Sequence, residues 1–397
     1  MSRLVRVAAL IVFVLSLVVL LPAESPQAEA QADSIYVVAS TTIIADVVAN
    51  VAGDAAVVEP LMGPGQNPHA FEPSGEDLAV LSEADVIFVN GAYFEEGLLP
   101  IFEEGGIVAP YEISACVNIL SFDFALGHHH ADDEEHHDEE AHDEEHEHDD
   151  EEHHDEEAHD EEHEHSEMAA QCMAHHEKVE SMLSEESHAE EGDAYLGYLY
   201  TLDCDPDHDH EGEGEHTHVG GSCDSHVWTN PTNVMLWTLY ARDVLSELDP
   251  ENADVYAANA EAYLAELADL DEQIHTLFEP IPVEQRVMVT NHGAFGYMAH
   301  RYNLRVVGTV IPGGGTAAEP SAEDVAELIE VIEDNDVLAI FTENTVSDTL
   351  ANQIAEETGA DIYGLLTGSL TGPDGEAPTY IDYMLYNATN MAKGMSD

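Results

Sequence analysis

The chain predicts an α/β protein of two parallel-sheet αβ lobes joined by a long rigid helix, and three observations carry that prediction. Short β-branched runs alternate with helical patterns through the first 120 residues. The same alternation restarts near Val287 and continues to the end. Between them, residues 252–278 carry one apolar stripe, Tyr256, Ala260, Tyr263, Leu267, Leu270, Ile274 and Leu277, at alternating steps of four and three. Strand–helix alternation lays strands in parallel with helices on both faces. The stripe is helical, and at 1.5 Å per residue it reaches roughly 40 Å, enough to brace two lobes.

In order, residues 35–40 read as a buried strand, 43–52 as a helix and 57–61 as a second strand that feeds the turn-rich string 63–69. A helix around 77–82, a strand at 86–90, a helix near 94–102 and a strand near 117–120 complete the first alternation. Residues 233–248 are helical, and Pro250 separates them from the long helix, which Pro280 and Pro282 end. The second alternation comprises strands at 287–290, 305–311, 337–342 and 361–365, with helices near 295–302, 322–334, 346–358 and 380–392. Ser321 followed by Asp324 is a capping-box start for the helix at 322. The resulting division is a first lobe over 33–250, a linker helix over 251–279 and a second lobe over 280–397.

Composition narrows the partners. A chain of 397 residues with 44% hydrophobic content can build two sizeable cores. With 84 acidic against 8 basic residues the formal net charge is −76, which excludes nucleic acid and favours cations. Residues 1–32 combine Arg3 and Arg6, an apolar run over 7–21 and small residues, and they read as an export signal. Retention of that segment as an anchor is the alternative, and no cysteine stands near it for lipid attachment. Export places the protein in the periplasm or at the extracytoplasmic cell surface. There, Cys116, Cys172, Cys204 and Cys223 favour two disulfides over thiolate metal ligation, although the sequence does not select among three pairings.

An acid- and histidine-rich tract over 121–222 interrupts the first lobe, and within it residues 135–148 recur verbatim as 152–165. With so few apolar residues it cannot offset the entropy of ordering and is expected to be disordered without metal, with some structure returning near 182–202. Acids alone suffice for solubility, so its histidines are read as weak sites that gather or sense zinc. The H-x-x-E-H string at His142 to His146, repeated at His159 to His163, is what chance yields in a repeat of H, D and E.

Outside the tract the only histidines are His69, His226, His275, His292 and His300. One loop histidine is ordinarily a polar surface group. His69, His226 and His292 each stand in a turn-like string ahead of a helical pattern, with His69 and His292 at carboxyl ends of strands, where α/β sheets place their sites. Neutral imidazoles from three distant loops suit zinc or another borderline divalent ion. They are expected to converge on one ion in the cleft between the lobes. His275 and His300 are read as structural or surface residues, and Trp228 as packing beneath the site.

The strings 63–74 (GPGQNPHAFEPS), 226–231 (HVWTNP) and 290–297 (TNHGAFGY), with Phe341 to Asn344 and Thr379 to Tyr383, resemble the metal-binding substrate-binding proteins of zinc and manganese ABC importers, the ZnuA/TroA-like family. The resemblance covers essentially the whole chain after the export segment. It implies two αβ lobes about one metal, with His69 and His226 given by the first lobe and His292 by the second. Many members add a late-loop Asp, but residues 366–370 hold no acid here. Water fills the fourth position, or Glu343 reaches in as a ligand; orienting an imidazole from behind is the other role open to Glu343.

The expected function is therefore a non-enzymatic, extracytoplasmic solute-binding protein, a monomer, that captures Zn2+ and hands it to an ABC membrane permease. Mn2+ or Fe2+ is the alternative cargo, since some manganese-linked members also carry histidine at the His292 position. A surface adhesin on the same fold, or a zinc hydrolase, ranks lower. Three histidines plus water also occur in catalytic zinc sites, but the strings supply no nucleophile or general base.

Overall fold

The computed structural model describes residues 34–104, 106–122, 158–183, 195–202, 204, 223–313, 315–316 and 318–396. The export segment, the first copy of the repeat and the string at His142 to His146 lie outside the described residues.

The first lobe opens with β1 (Ile35–Ala39), α1 (Thr42–Ala52), β2 (Ala56–Pro60), α2 (Gly75–Glu83), β3 (Val86–Val89), α3 (Leu99–Glu104) and β4 (Tyr111–Glu112). Its strands form a parallel sheet in the order β2-β1-β3-β4. Alternation along β1 sends Val37 and Ala39 to one face and Val38 to the other, where it packs with Leu81, Ile87 and Val89. Thr41 caps α1 through the Ile44 amide, and Ser74 with Asp77 forms a capping box on α2.

Two expectations for this lobe are corrected. The strand expected near residue 117 exists as β5 (Asn118–Leu120) but is not in the parallel sheet. Tyr111–Glu112 takes the sheet edge, and β5 pairs antiparallel with β6 (Tyr195–Tyr198), which falls in the stretch 182–202 where structure is expected to return within the tract. The helix expected at 94–102 begins only at Leu99; the residues before it form successive turns, with the Phe94 amide donating to the Gly91 carbonyl and the Leu98 amide to the Glu95 carbonyl.

The disorder expected across 121–222 is also corrected for part of that range. Residues Ala158–Glu180 form the helix α4, and Met168, Cys172, Val179 and Met182 lie on one face that joins the main core. Disulfides Cys116–Cys172 and Cys204–Cys223 select one of the three pairings, and the first ties α4 to the lobe. His175 contacts Asp243 at 2.8 Å, His176 lies 2.9 Å from the Cys116 carbonyl oxygen, and Lys178 pairs with Glu261 at 3.0 Å. Composition averaged over the whole tract concealed this apolar stripe. A covalent link also removes part of the unfolded-state entropy that ordering must overcome.

Then come α5 (Pro231–Leu248), capped by Asn230 with Pro231 at its first position, and the long α6 (Ala253–Phe278). The second lobe comprises β7 (Val287–Thr290), α7 (Gly296–Tyr302), β8 (Arg305–Thr309), α8 (Ala322–Asp334), β9 (Ala339–Glu343), α9 (Thr349–Thr358), β10 (Asp361–Leu365) and α10 (Tyr380–Gly394). Its parallel sheet runs β10-β9-β7-β8, and the capping box of Ser321 and Asp324 forms as expected.

The stripe on α6 is buried from Tyr256 to Ile274, with Leu277 only partly buried and Phe278 buried beside it, and packs on α1 and α5 of the first lobe and on α7 and α10 of the second. At Asp271 it accepts two hydrogen bonds from Arg301, at 3.0 and 2.6 Å, and one from the Tyr302 hydroxyl at 2.9 Å. One continuous apolar core joins β1, α1, α5, α6, α10 and β9. The outer faces of the two sheets are sealed separately, by α2 in the first lobe and by α8 and α9 in the second.

Candidate metal centre

Three loops at the carboxyl ends of strands or strand-like segments present the site. After β2, Asn67 accepts a hydrogen bond from the His69 amide at 3.1 Å, which fixes the single turn Pro68–Ala70. His226 opens the turn Val227–Thr229 immediately before α5, and His292 follows β7. These turns bring the ring nitrogens together: His69 Nε2 lies 3.1 Å and His292 Nε2 3.3 Å from His226 Nε2. Among the described residues this is the one cluster of His, Cys, Asp or Glu with metal-binding spacing, its ligand atoms all within 4.8 Å of one another. Tetrahedral coordination with bonds of 2.0–2.1 Å sets nitrogens about 3.3–3.4 Å apart, close to the separations of His226 Nε2 from its two neighbours.

Two buried carboxylates stand behind the rings. Asp224 Oδ1 accepts from both the amide and Nδ1 of His226, each at 2.9 Å, which turns Nε2 toward the cluster. Glu343 Oε1 accepts from the His292 amide at 3.0 Å, and its Oε2 lies 2.6 Å from His292 Nδ1, off the ideal hydrogen-bond line. Glu343 thus sits on the far side of His292 from the converging nitrogens. Asp224 stands two residues before His226 and was missed in the sequence; that D-x-H spacing was the available signal. His226 and His292 are only 2% and 1% exposed.

Burial pushes the His69 and His226 rings well below their ordinary pKa, and the proximity of the other imidazoles pushes the same way. Burial raises the Asp224 carboxyl to about 7, against the pull of the His226 amide and of His292. Neutral imidazoles with free lone pairs are the form that binds metal.

Phe94 lays its edge against His69, with centroids 5.0 Å apart, and packs on Trp228 at 4.8 Å. Trp228 lies beneath the site, buried, its Nε1 donating to the Thr367 carbonyl and the Tyr383 hydroxyl. Residues 366–370 are buried and spent on the lobe interface. Ser369 Oγ accepts from the Gly65 amide at 2.8 Å, and the Leu370 amide donates to Thr42 Oγ1 at 2.8 Å. Tyr297 of α7 spans the lobes too, accepting from the Leu120 amide and donating to the Asp224 carbonyl. His275 and His300 lie elsewhere, beside Tyr302 and Tyr195 respectively.

A cavity of about 280 Å³, lined by Tyr93, Phe122, Cys223 and Gly313 among others, opens onto His69 and His226. A larger one of about 360 Å³, lined by Asn118, His176, Tyr195, His300 and Arg301, contains none of the three histidines. The smaller cavity is therefore the relevant one.

Comparison with known proteins agrees with this architecture. Residues 37–394 match the family described as ZnuA, zinc-uptake complex component A, periplasmic. The manganese-binding lipoprotein MntA of Halalkalibacterium halodurans is 25% identical over 375 residues, covering 94% of this chain and 93% of that protein. The iron-binding protein YfeA of Yersinia pestis is 26% identical over 359 residues, covering 90% and 85%. Among solved structures, the periplasmic zinc-binding protein TroA of Treponema pallidum superposes with a TM-score of 0.61 at 20% identity, covering 92% of this chain and all of that one, and so shares the fold. No described helix is long and apolar enough to cross a membrane. The chain belongs to the ZnuA family, whose members are extracytoplasmic metal-binding components of ABC importers and not enzymes.

Proposed function

We propose that this chain captures Zn2+ through His69, His226 and His292 and delivers it to the permease of an ABC importer. The observation that carries the reading is the meeting of Nε2 atoms from both lobes at 3.1 and 3.3 Å. All three converging donors are imidazole nitrogens, and the nearest carboxylates, Asp224 and Glu343, lie behind the rings. Imidazole suits zinc, whereas manganese favours carboxylate and carbonyl oxygen. With Ser369 engaged by Gly65 and no acid in residues 366–370, a water completes the tetrahedron.

Manganese or iron is the second reading, favoured by the relatives named for those metals. Elemental analysis of the protein as purified, followed by competition between Zn2+ and Mn2+, separates the two. Zinc at one equivalent, retained against excess manganese, is the expected result; preferential manganese retention refutes the zinc assignment.

A further inference from the structure

Glu95 is a carboxylate only 4% exposed that faces three hydrogen-bond donors. Its Oε1 accepts from Ser40 Oγ and from the Asn90 amide, both at 2.6 Å, and its Oε2 accepts from the Gly91 amide at 3.3 Å. These groups start a run of left-handed backbone: φ is 85° at Gly91, 53° at Ala92 and 59° at Tyr93. Residues with a Cβ resist that conformation, so it persists only where surrounding contacts over-determine it.

The turn leads directly to the metal centre. Phe94, the next residue, has its ring 5.0 Å from His69, 5.9 Å from His226 and 4.8 Å from Trp228. Asn90 Nδ2 donates to the Ser225 carbonyl at 3.0 Å, the residue that precedes His226. One carboxylate therefore holds the two amides that begin the turn, and the turn reaches both first-lobe imidazoles.

Chemistry favours an anion at this place. Two of the three partners are backbone N–H groups, which can only donate, and a protonated acid would leave one of them poorly paired. Burial and the neighbouring Glu112 of β4 raise the Glu95 pKa to about 7, while the three donors oppose that rise.

We propose that Glu95 is a positioning residue for metal capture: it locks the turn Gly91 to Tyr93, which seats Phe94 on His69 and His226 and ties Asn90 to Ser225, the residue before His226. The inference rests on reading the three histidines as metal ligands.

The test uses the full chain and Co2+ as probe, with affinity and the visible absorption band measured for wild type, Glu95→Leu, Glu95→Gln and Phe94→Leu. Glu95→Leu removes every acceptor and is expected to weaken Co2+ binding by roughly 10-fold or more and to change the band, as loss of an outer partner does. Phe94→Leu is expected to shift the band in the same direction. Glu95→Gln keeps one acceptor oxygen for Ser40 and Asn90 but turns an amide donor on Gly91, so its loss is intermediate.

A Glu95→Leu protein with wild-type affinity and band, and only a lowered melting temperature, overturns the proposal. Should that variant not fold, wild-type affinity and band in both Glu95→Gln and Phe94→Leu overturn it equally. Failure of the underlying reading looks different: wild type itself then gives no saturable band, or His226→Ala binds Co2+ unchanged.

Discussion

Replacing Asp224 by Asn separates what this buried carboxylate does for the metal from what it does to the fold. Asn retains an oxygen able to accept from the His226 amide and from Nδ1, both 2.9 Å away. What is lost is the negative charge behind the imidazole. Outer partners of this kind typically contribute 10–100-fold to metal affinity, equivalent to about 1.4–2.7 kcal/mol. Stability responds oppositely with pH. In the fold the Asp224 carboxyl is raised from its ordinary 3.8 to about 7. Its contribution is therefore fully present below pH 3.8 and is lost as pH rises through 7, by up to about 4 kcal/mol as an upper bound. Measured by metal-free denaturant unfolding, the stability of wild type relative to Asp224→Asn should thus decline between pH 4 and 8, while titration at pH 7.5 shows the weaker metal binding. A variant with unchanged zinc affinity, or a stability difference flat with pH, would refute this account of Asp224.

Metal affinity should fall as pH drops, first through about 7 as the Asp224 carboxyl takes up a proton and then further in acid. His69 and His226 are held well below their ordinary 6.5 in the folded chain, so protons compete with metal for these two rings only in acid. By the same linkage, unfolded imidazoles take up protons first, and these two residues contribute stability above pH 6.5 that is lost as pH falls. Calorimetric titration from pH 5 to 8 checks this, and an affinity that stays flat across that range contradicts it. Removing residues 128–157 leaves α4 and both disulfides in place, so the tightest site should keep its affinity within about 3-fold; His226→Ala should cost at least about 100-fold, more than an outer partner does. Calorimetry showing the reverse order would reassign the principal site to the tract. Serine at both Cys116 and Cys172 should cost about 4 kcal/mol of unfolding free energy, and at Cys204 and Cys223 about 3, from loop separations of 56 and 19 residues. Chemical denaturation measures both, and a cost near zero would mean that α4 and the segment at Cys223 are held by packing alone.

By itself the sequence determined the repeating local order: β-branched runs, capped amphipathic helices, the stripe of α6 and the turn strings that carry His69, His226 and His292. Those features depend on contacts within a few residues, where periodicity and capping chemistry act directly. The tertiary structure alone decided what depends on distant partners. Tyr195–Tyr198 lies inside the tract yet pairs with Asn118–Leu120, so neither stretch shows its role locally. The choice among disulfide pairings followed the docking of α4 against the first lobe. Glu343 came to lie behind His292, 51 residues away in the chain, only because β7 and β9 are neighbours in one sheet. Asp224 and Glu95 looked like two more acids in a chain of 84, and only burial gave them specific partners. The physical reason is common to all of these: desolvation and cross-lobe hydrogen bonding arise when the chain closes on itself, and no local pattern encodes them.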